Sequence, residues 1–268
     1  MDAEIGADSL TVVAAAAFFD LDRTLISGAS LFPFAMEAWR AGLVSNQEIA
    51  RWTVSALAFK LAGDTGKGRS DQLRTQLLGK VAGVAVAELD GVARAMLPTL
   101  VDAVRPESSR LVDMHRAAER DTWIVSASPQ AIVEPLASAL AMTGAVGTRG
   151  KVVDGRLTDE LEGPFVYGAG KAEAIKDLAS ERAYDLSQCY AYTDSISDLP
   201  MLQAVGHPVT VNPDGELERI AYERGWPVVI FARQAKRAAA AGSALSATVL
   251  VAFASYFLGR RHGRRNPR

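Results

Sequence analysis

TVVAAAAFFDLDRT, residues 11–24, decides the fold of this chain. Its first nine residues are apolar or β-prone without interruption. That is the pattern of a strand buried on both faces in a parallel sheet, and the run stops at Asp20. Two carboxylates, Asp20 and Asp22, then stand two residues apart just beyond the strand. Carboxylates sharing one crevice repel each other unless a cation lies there or their tasks differ. Taken alone, the pair also fits solvated loop acids or a helix cap, because Asp-x-Asp is a common string.

Working outward, apolar residues at three- and four-residue spacing predict a mostly helical segment over 30–104. They are Leu31, Phe34, Ala35 and Ala38, then Ile49, Trp52, Leu57 and Leu61. GDTGKG (63–68) breaks the pattern, and it resumes through Leu73, Leu77, Leu89 and Met96. Pro106 opens a further helix. DTWIVSASP (121–129) reads as strand, turn and helix, with Ser126 at the strand's end, and VVDGRLT (152–158) as a hairpin turning at Asp154-Gly155. GKAEAIKDLA (170–179) is a helix beginning beside Lys171. QCYAYTD (188–194) is a strand ending on Asp194, and SISDLPML leads from it into a helix. Short runs over 208–211 and 227–231 close the sheet. The alternation predicts an α/β fold with a Rossmann-like parallel sheet and a helical insertion after the first strand. Ligands of such sheets sit at the carboxyl ends of the strands, where Asp20, Ser126 and Asp194 all fall.

Composition narrows the chemistry. Of 268 residues, 49% are apolar and 22% charged, as in a folded globular protein. The single cysteine, Cys189, allows no intrachain disulfide and no cysteine-based zinc cluster, and His115, His207 and His262 are too scattered for a histidine metal site. The net charge of −2 hides an asymmetry, with nine basic and no acidic residues from Arg224 onward. The acidic remainder is no nucleic-acid-binding profile. Gly163 and Gly168 have the first spacing of a nucleotide-binding P-loop, but Ala169 follows them and Ala172 follows Lys171, so that motif fails.

Each remaining piece has a plain reading and a chemical one. Ser126 offers a hydroxyl and, with Ala127 and Ser128, main-chain N–H groups suited to an anion, or it is an ordinary helix cap. Lys171 neutralises an anion, or is a surface lysine. Asp194 and Asp198 in TDSISD supply oxygen to Mg²⁺, or cap a helix. In this order and on these elements, DLDRT, the strand ending in Ser126, the helix-opening Lys171 and TDSISD together resemble the haloacid dehalogenase-like superfamily of phosphohydrolases. GxGKAExI around Lys171 and the helical insertion look most like its phosphoserine phosphatase-like branch.

The resemblance implies roles. Asp20 would be the nucleophile that forms an aspartyl-phosphate and would bind Mg²⁺. Asp22 would protonate the leaving alkoxide and then deprotonate the attacking water, with its backbone carbonyl on the metal. Thr24 would orient Asp22 or the loop. Ser126, Ala127 and Lys171 would hold the phosphoryl oxygens, Asp194 would complete the metal site, and Asp198 would steady Lys171 or a water on the metal. The core would comprise 11–29 and 105–232, with 30–104 a helical cap over the site. The expected activity is Mg²⁺-dependent hydrolysis of a small or lipid-linked phosphomonoester. A phosphotransferase passing the phosphoryl group to an alcohol, and a membrane-tethered phosphate-binding module, are the alternatives.

Phosphoserine phosphatases place a glutamate shortly after the first motif to grip the substrate ammonium. Here Ala29 stands there, beside Ser27 and Ser30, with Glu37 further on and Arg69 and Arg74 in the insertion. Residues 238–258 carry no charge over about 31 Å of helix, and basic residues flank them on both sides. The segment 236–268 is therefore expected to anchor a cytoplasmic catalytic body to the membrane, or to pack on that body as a helix.

Overall fold

The structure, a computed structural model, describes residues 14–44 and 82–231. Most of the expected insertion, including Ile49, Trp52, Leu57, Leu61, GDTGKG, Arg69, Leu73, Arg74 and Leu77, lies outside the described residues, as does the run 238–258. The chain divides into two units, Met1–Val229 and Ile230–Arg268, and everything below concerns the first. Among the described residues no helix is long and apolar enough to cross a membrane.

The first strand, β1 (Ala16–Phe19), is buried at every position, as an uninterrupted apolar run requires when both faces are covered. It lies at the middle of a six-stranded sheet. Four further strands are β2 (Asp121–Pro129), β3 (Gly144–Thr148), β6 (Tyr190–Thr193) and β7 (His207–Val211), and β8 (Val228–Val229) completes the set. Their order is β3-β2-β1-β6-β7-β8, every neighbouring pair parallel. Between β3 and β6 the chain forms a separate antiparallel hairpin, β4 (Gly150–Val153) and β5 (Arg156–Leu161). Its turn residues Asp154 and Gly155 both have positive φ, the geometry that favours Asp-Gly in a two-residue hairpin.

Helices cover the sheet. They are α1 (Leu31–Arg40), α2 (Val86–Asp102), α3 (Pro106–Ala117), α4 (Gln130–Ala139), α5 (Ala169–Arg182), α6 (Leu199–Gln203) and α7 (Gly215–Arg224). The α3 helix begins at Pro106, where a missing N–H costs nothing. The start of α7 is capped by Asp214, which accepts from the Leu217 N–H. Cys189 is a core residue, its Sγ accepting the Ala16 N–H at 3.2 Å.

The chain leaves the sheet after β1 and returns before α3 along adjacent paths. Ser27 N–H donates to the Ala103 carbonyl and Arg105 N–H to that of Leu25, and Ile26 pairs with Val104. Between these crossings α1 packs on α2, and α2 on α4.

Two boundaries differ from the sequence reading. β1 begins at Ala16, with Ala14 making an isolated bridge to Tyr184, and Thr11–Val13 fall outside the described residues. Where strand, turn and helix were expected over 121–129, β2 runs on to Pro129 and α4 starts at the next residue. A register shift between Val125 and Pro129 absorbs the turn. Gln130 binds the Gly147 N–H and the Ala145 carbonyl through its side-chain amide, fixing the first residue of α4 to β3.

Beneath the sheet His115 is fully buried. Its Nε2 meets the Tyr192 hydroxyl at 2.8 Å, its ring meets the edge of Phe19, and Arg120 approaches Nδ1 at 3.5 Å. Burial, with help from Arg120, pushes its pKa down to about 4. The unfolded histidine takes a proton near pH 6.5, so in this window the unfolded chain binds more protons than the folded one. Stability is therefore lost as pH falls from about 6.5 towards 4, this residue contributing at most ~3 kcal/mol of that loss. Chemical denaturation at pH 7 and pH 5 should show a smaller drop for His115→Gln than for the wild type.

Candidate active site

Three adjacent strands deliver the site residues. Asp20 directly follows β1, and its N–H donates to the Tyr192 carbonyl of β6. Asp194 directly follows β6. Ser126 lies on β2 at the other side of β1. Because all three strands point the same way, their carboxyl ends share one edge of the sheet.

After Asp20 the chain winds one wide turn. Leu25 N–H returns to the Asp20 carbonyl and Ile26 N–H to that of Leu21. Inside this turn Asp22 is extended and Arg23 left-handed, with φ 63°. The loop is held by Arg23 N–H on the Gly28 carbonyl, and from below by the Ser108 hydroxyl on that of Thr24. The Thr24 side-chain oxygen is buried and makes no hydrogen bond among the described residues. The side chain of Asp22 is instead gripped by the Ser30 N–H, 2.7 Å from Oδ1, at the residue preceding α1.

Lys171 is buried at the first turn of α5. Its ammonium lies between two carboxylates, Asp20 Oδ1 at 2.5 Å and Asp198 Oδ2 at 2.6 Å. Asp198 Oδ2 also accepts the Thr193 hydroxyl at 2.8 Å. Thr193, the last residue of β6, is thus tied through Asp198 and Lys171 to the carboxylate beyond β1. Burial alone would lower the pKa of Lys171, but Asp198 and Asp20 outweigh it and the net shift is upward.

The glycines before Lys171 are a steric requirement. Gly168 has φ 57°, and a Cβ on Gly170 would lie 1.9 Å from the Phe165 carbonyl oxygen. The backbone turns tightly there, and only a bare Cα lets α5 begin where its lysine reaches Asp20.

Asp194 is buried and faces Arg23, whose Nε lies 3.0 Å from Oδ2. Its Oδ1 is buried and accepts no hydrogen bond among the described residues. Burial pushes Asp194 up to about 6 although Arg23 pulls the other way, and pushes Asp20 up to about 7 against Lys171. Burial likewise raises Asp22, opposed first by its hydrogen bond from Ser30. Carboxyl groups so placed gain from a further cation. Among the described residues no three His, Cys, Asp or Glu side chains form a cage of their own. The expected Mg²⁺ ligands are two carboxylates, Asp20 and Asp194, and a main-chain carbonyl. That all-oxygen set, with an unpartnered Asp194 oxygen, fits a hard divalent ion that keeps several waters.

Ser126 is buried, and its hydroxyl accepts the Ser128 N–H at 3.2 Å. The Ser128 hydroxyl meets that of Ser30 at 2.9 Å. Ala127 and Ser128 belong to the irregular end of β2, before the helix that starts at Gln130, so their N–H groups are not those of a helix terminus. Glu37 is committed to Arg40 on its own helix, and Ala29 is exposed. Arg23, Ser30, Thr193 and Asp214 were missed in the sequence. Asp214 accepts the Ile196 N–H and donates its own N–H to the Asp194 carbonyl, bracing the loop after β6.

Gly170→Ala should lower thermal stability, by ~2–4 kcal/mol as a buried backbone clash, and cut activity by displacing Lys171. Thermal unfolding and turnover check both effects. Unchanged values would mean the turn has room to relax.

The family model of the haloacid dehalogenase-like hydrolases matches residues 17–203. A Mycobacterium tuberculosis protein named "Probable phosphatase Rv3661" is 42% identical over 222 residues, covering 81% of this chain and 76% of its own. The phosphoserine phosphatase SerB1 of the same organism is 34% identical over 229 residues, covering 85% and 74%. Among solved structures, a protein of unknown function from Bordetella pertussis Tohama I matches with a TM-score of 0.69 at 26% identity, covering 81% of this chain and 98% of that one. The chain belongs to the haloacid dehalogenase-like hydrolases, on their phosphoserine phosphatase-like branch, and is a phosphatase.

Proposed function

We propose that this haloacid dehalogenase-like phosphatase hydrolyses a phosphomonoester through a covalent intermediate on Asp20, with Mg²⁺. The observation that carries the reading is the buried bridge Asp20–Lys171–Asp198. It places a fixed positive charge against the carboxylate that must meet a dianionic phosphate. Without such charge the two anions could not approach, and in a buried site the same charge stabilises the oxygens of the transferring group.

Asp20 attacks phosphorus through a carboxylate oxygen, and the bond to the leaving alkoxide breaks. Lys171 holds phosphoryl oxygens, together with the Ser126 hydroxyl and the Ala127 N–H. Asp22 gives its proton to the leaving alkoxide, then takes one from water as that water attacks the phosphoryl group on Asp20. Its upward pKa shift suits a group that must carry a proton near neutrality, and the Ser30 N–H fixes its direction. Asp20, Asp194 and the Asp22 carbonyl would hold Mg²⁺, whose charge offsets that of the phosphate.

The relative SerB1 is named for phosphoserine, but here Ala29 supplies no carboxylate and Glu37 pairs with Arg40. An ammonium left unpaired on burial costs ~1–3 kcal/mol. The proposed substrate is therefore a phosphomonoester whose leaving group carries no ammonium, small or lipid-linked. The uncharged run 238–258 would bring the site to a membrane.

A phosphomonoester panel with and without Mg²⁺ tests the reading. Release should require Mg²⁺ and disappear in folded Asp20→Asn, and phosphoserine should be a poorer substrate than glycerol phosphate or lysophosphatidate. Retained turnover in Asp20→Asn would end the covalent mechanism. Deleting residues 236–268 should leave active protein that no longer floats with anionic vesicles. Equal flotation of both forms would remove the membrane part.

A further inference from the structure

Among the described residues two cations face the carboxylates of this site, and they are held differently. Lys171 is buried and grips Asp20 and Asp198 together. It has no second place to go. The Arg23 side chain is 61% exposed, yet its Nε lies 3.0 Å from Asp194 Oδ2, and the Asp194 side chain is only 6% exposed. Arg23 therefore reaches inward from the surface to the carboxylate expected to bind metal.

The backbone singles out the same residue. Arg23 has φ 63°, a left-handed conformation that glycine adopts freely and a branched-chain or long L residue adopts under strain. The strain persists because the loop is fixed around it, by its own N–H on Gly28 and by Leu25 and Ile26 on Asp20 and Leu21. A side chain carried at a glycine-favouring position is a reason to ask what that side chain does. Here it neutralises a buried carboxylate that is crowded by two others, Asp198 and Asp214, and whose second oxygen has no partner among the described residues.

We propose that Arg23 is an exchangeable internal counter-ion. It pairs with Asp194, and a divalent cation binding there would displace it. A guanidinium on Asp194 Oδ2 and a divalent ion on the unpartnered Oδ1 would repel each other at close range. Of these two described cations only Arg23, 61% exposed against 4% for Lys171, can leave its carboxylate and keep its charge in water. Arg23 would thus weaken metal binding while offsetting the buried charge of Asp194. This inference rests on the proposed Mg²⁺ site and adds a residue that sets its affinity.

The test is Mg²⁺ titration by calorimetry of the full chain, beside thermal unfolding with and without Mg²⁺. Two variants remove the charge differently, since Arg23→Gly also relieves the backbone and Arg23→Gln does not. Both should bind Mg²⁺ roughly five- to tenfold more tightly than the wild type, as loss of one competing contact ion pair implies. Both should also show a larger rise in Tm on adding Mg²⁺. Arg23→Lys, which keeps the charge, should bind less tightly than either. Equal or weaker Mg²⁺ binding in Arg23→Gly and Arg23→Gln would overturn the inference and make Arg23 a support that orients Asp194. If the wild type takes up no Mg²⁺ while remaining folded, the metal site itself falls, and this inference with it.

Discussion

A buried ammonium between two buried carboxylates governs this site. A lysine charge taken out of water costs several kcal/mol unless it is paired, so Lys171 constrains whatever surrounds it. It needs Asp20 at the end of β1 and Asp198 beyond the end of β6 within hydrogen-bond reach at once. It needs α5 to begin tightly enough to present it, which is why Gly170 lies against the Phe165 carbonyl. It also needs Asp198 held from the side, which Thr193 does. Removing one partner would leave a charge stranded in the interior, so these elements are coupled more strongly than their separate contacts suggest.

The sheet order explains why the site lies where it does. With β2 and β3 on one side of β1 and β6, β7 and β8 on the other, the chain reverses its direction of travel across the sheet beside β1. The loops leaving neighbouring strands diverge there and open a crevice at their carboxyl ends. Asp20, Ser126 and Asp194 border it from three adjacent strands. The chain crosses out of the sheet at Leu25–Ser27 and back at Ala103–Arg105, with the two crossings hydrogen-bonded to each other. A movement of α1 would therefore be felt at Ser30 and through its N–H at Asp22.

The parts legible in the sequence were those with a one-dimensional signature. Apolar runs that stop at Asp20 and Asp194 mark strand ends, Asp154-Gly155 marks a hairpin, and GxGK marks a helix entered through a tight turn. Other features depend on tertiary neighbours and leave no such mark. Arg23 reads as a surface arginine until its left-handed backbone directs it to Asp194. Ser30 acts through its N–H, which every residue but proline carries. Thr193 and Asp214 matter because of what the β6 loop folds against. The end of β2 was misplaced because a bulge and the Gln130 side chain replace the turn that Ser-Ala-Ser suggested. Glu37, further along the chain than the glutamate of phosphoserine phosphatases, pairs with Arg40 one turn on.

The central claim is that the convergence on Lys171 makes Asp20 the nucleophile. Acid quenching during turnover, followed by peptide mass analysis, tests it most directly, because an acyl phosphate survives in acid long enough to be located. The account predicts one added phosphoryl group on the peptide carrying Asp20, formed with substrate and lost on return to neutral pH. Turnover with no adduct, or an adduct placed on another residue such as Ser126, would contradict it.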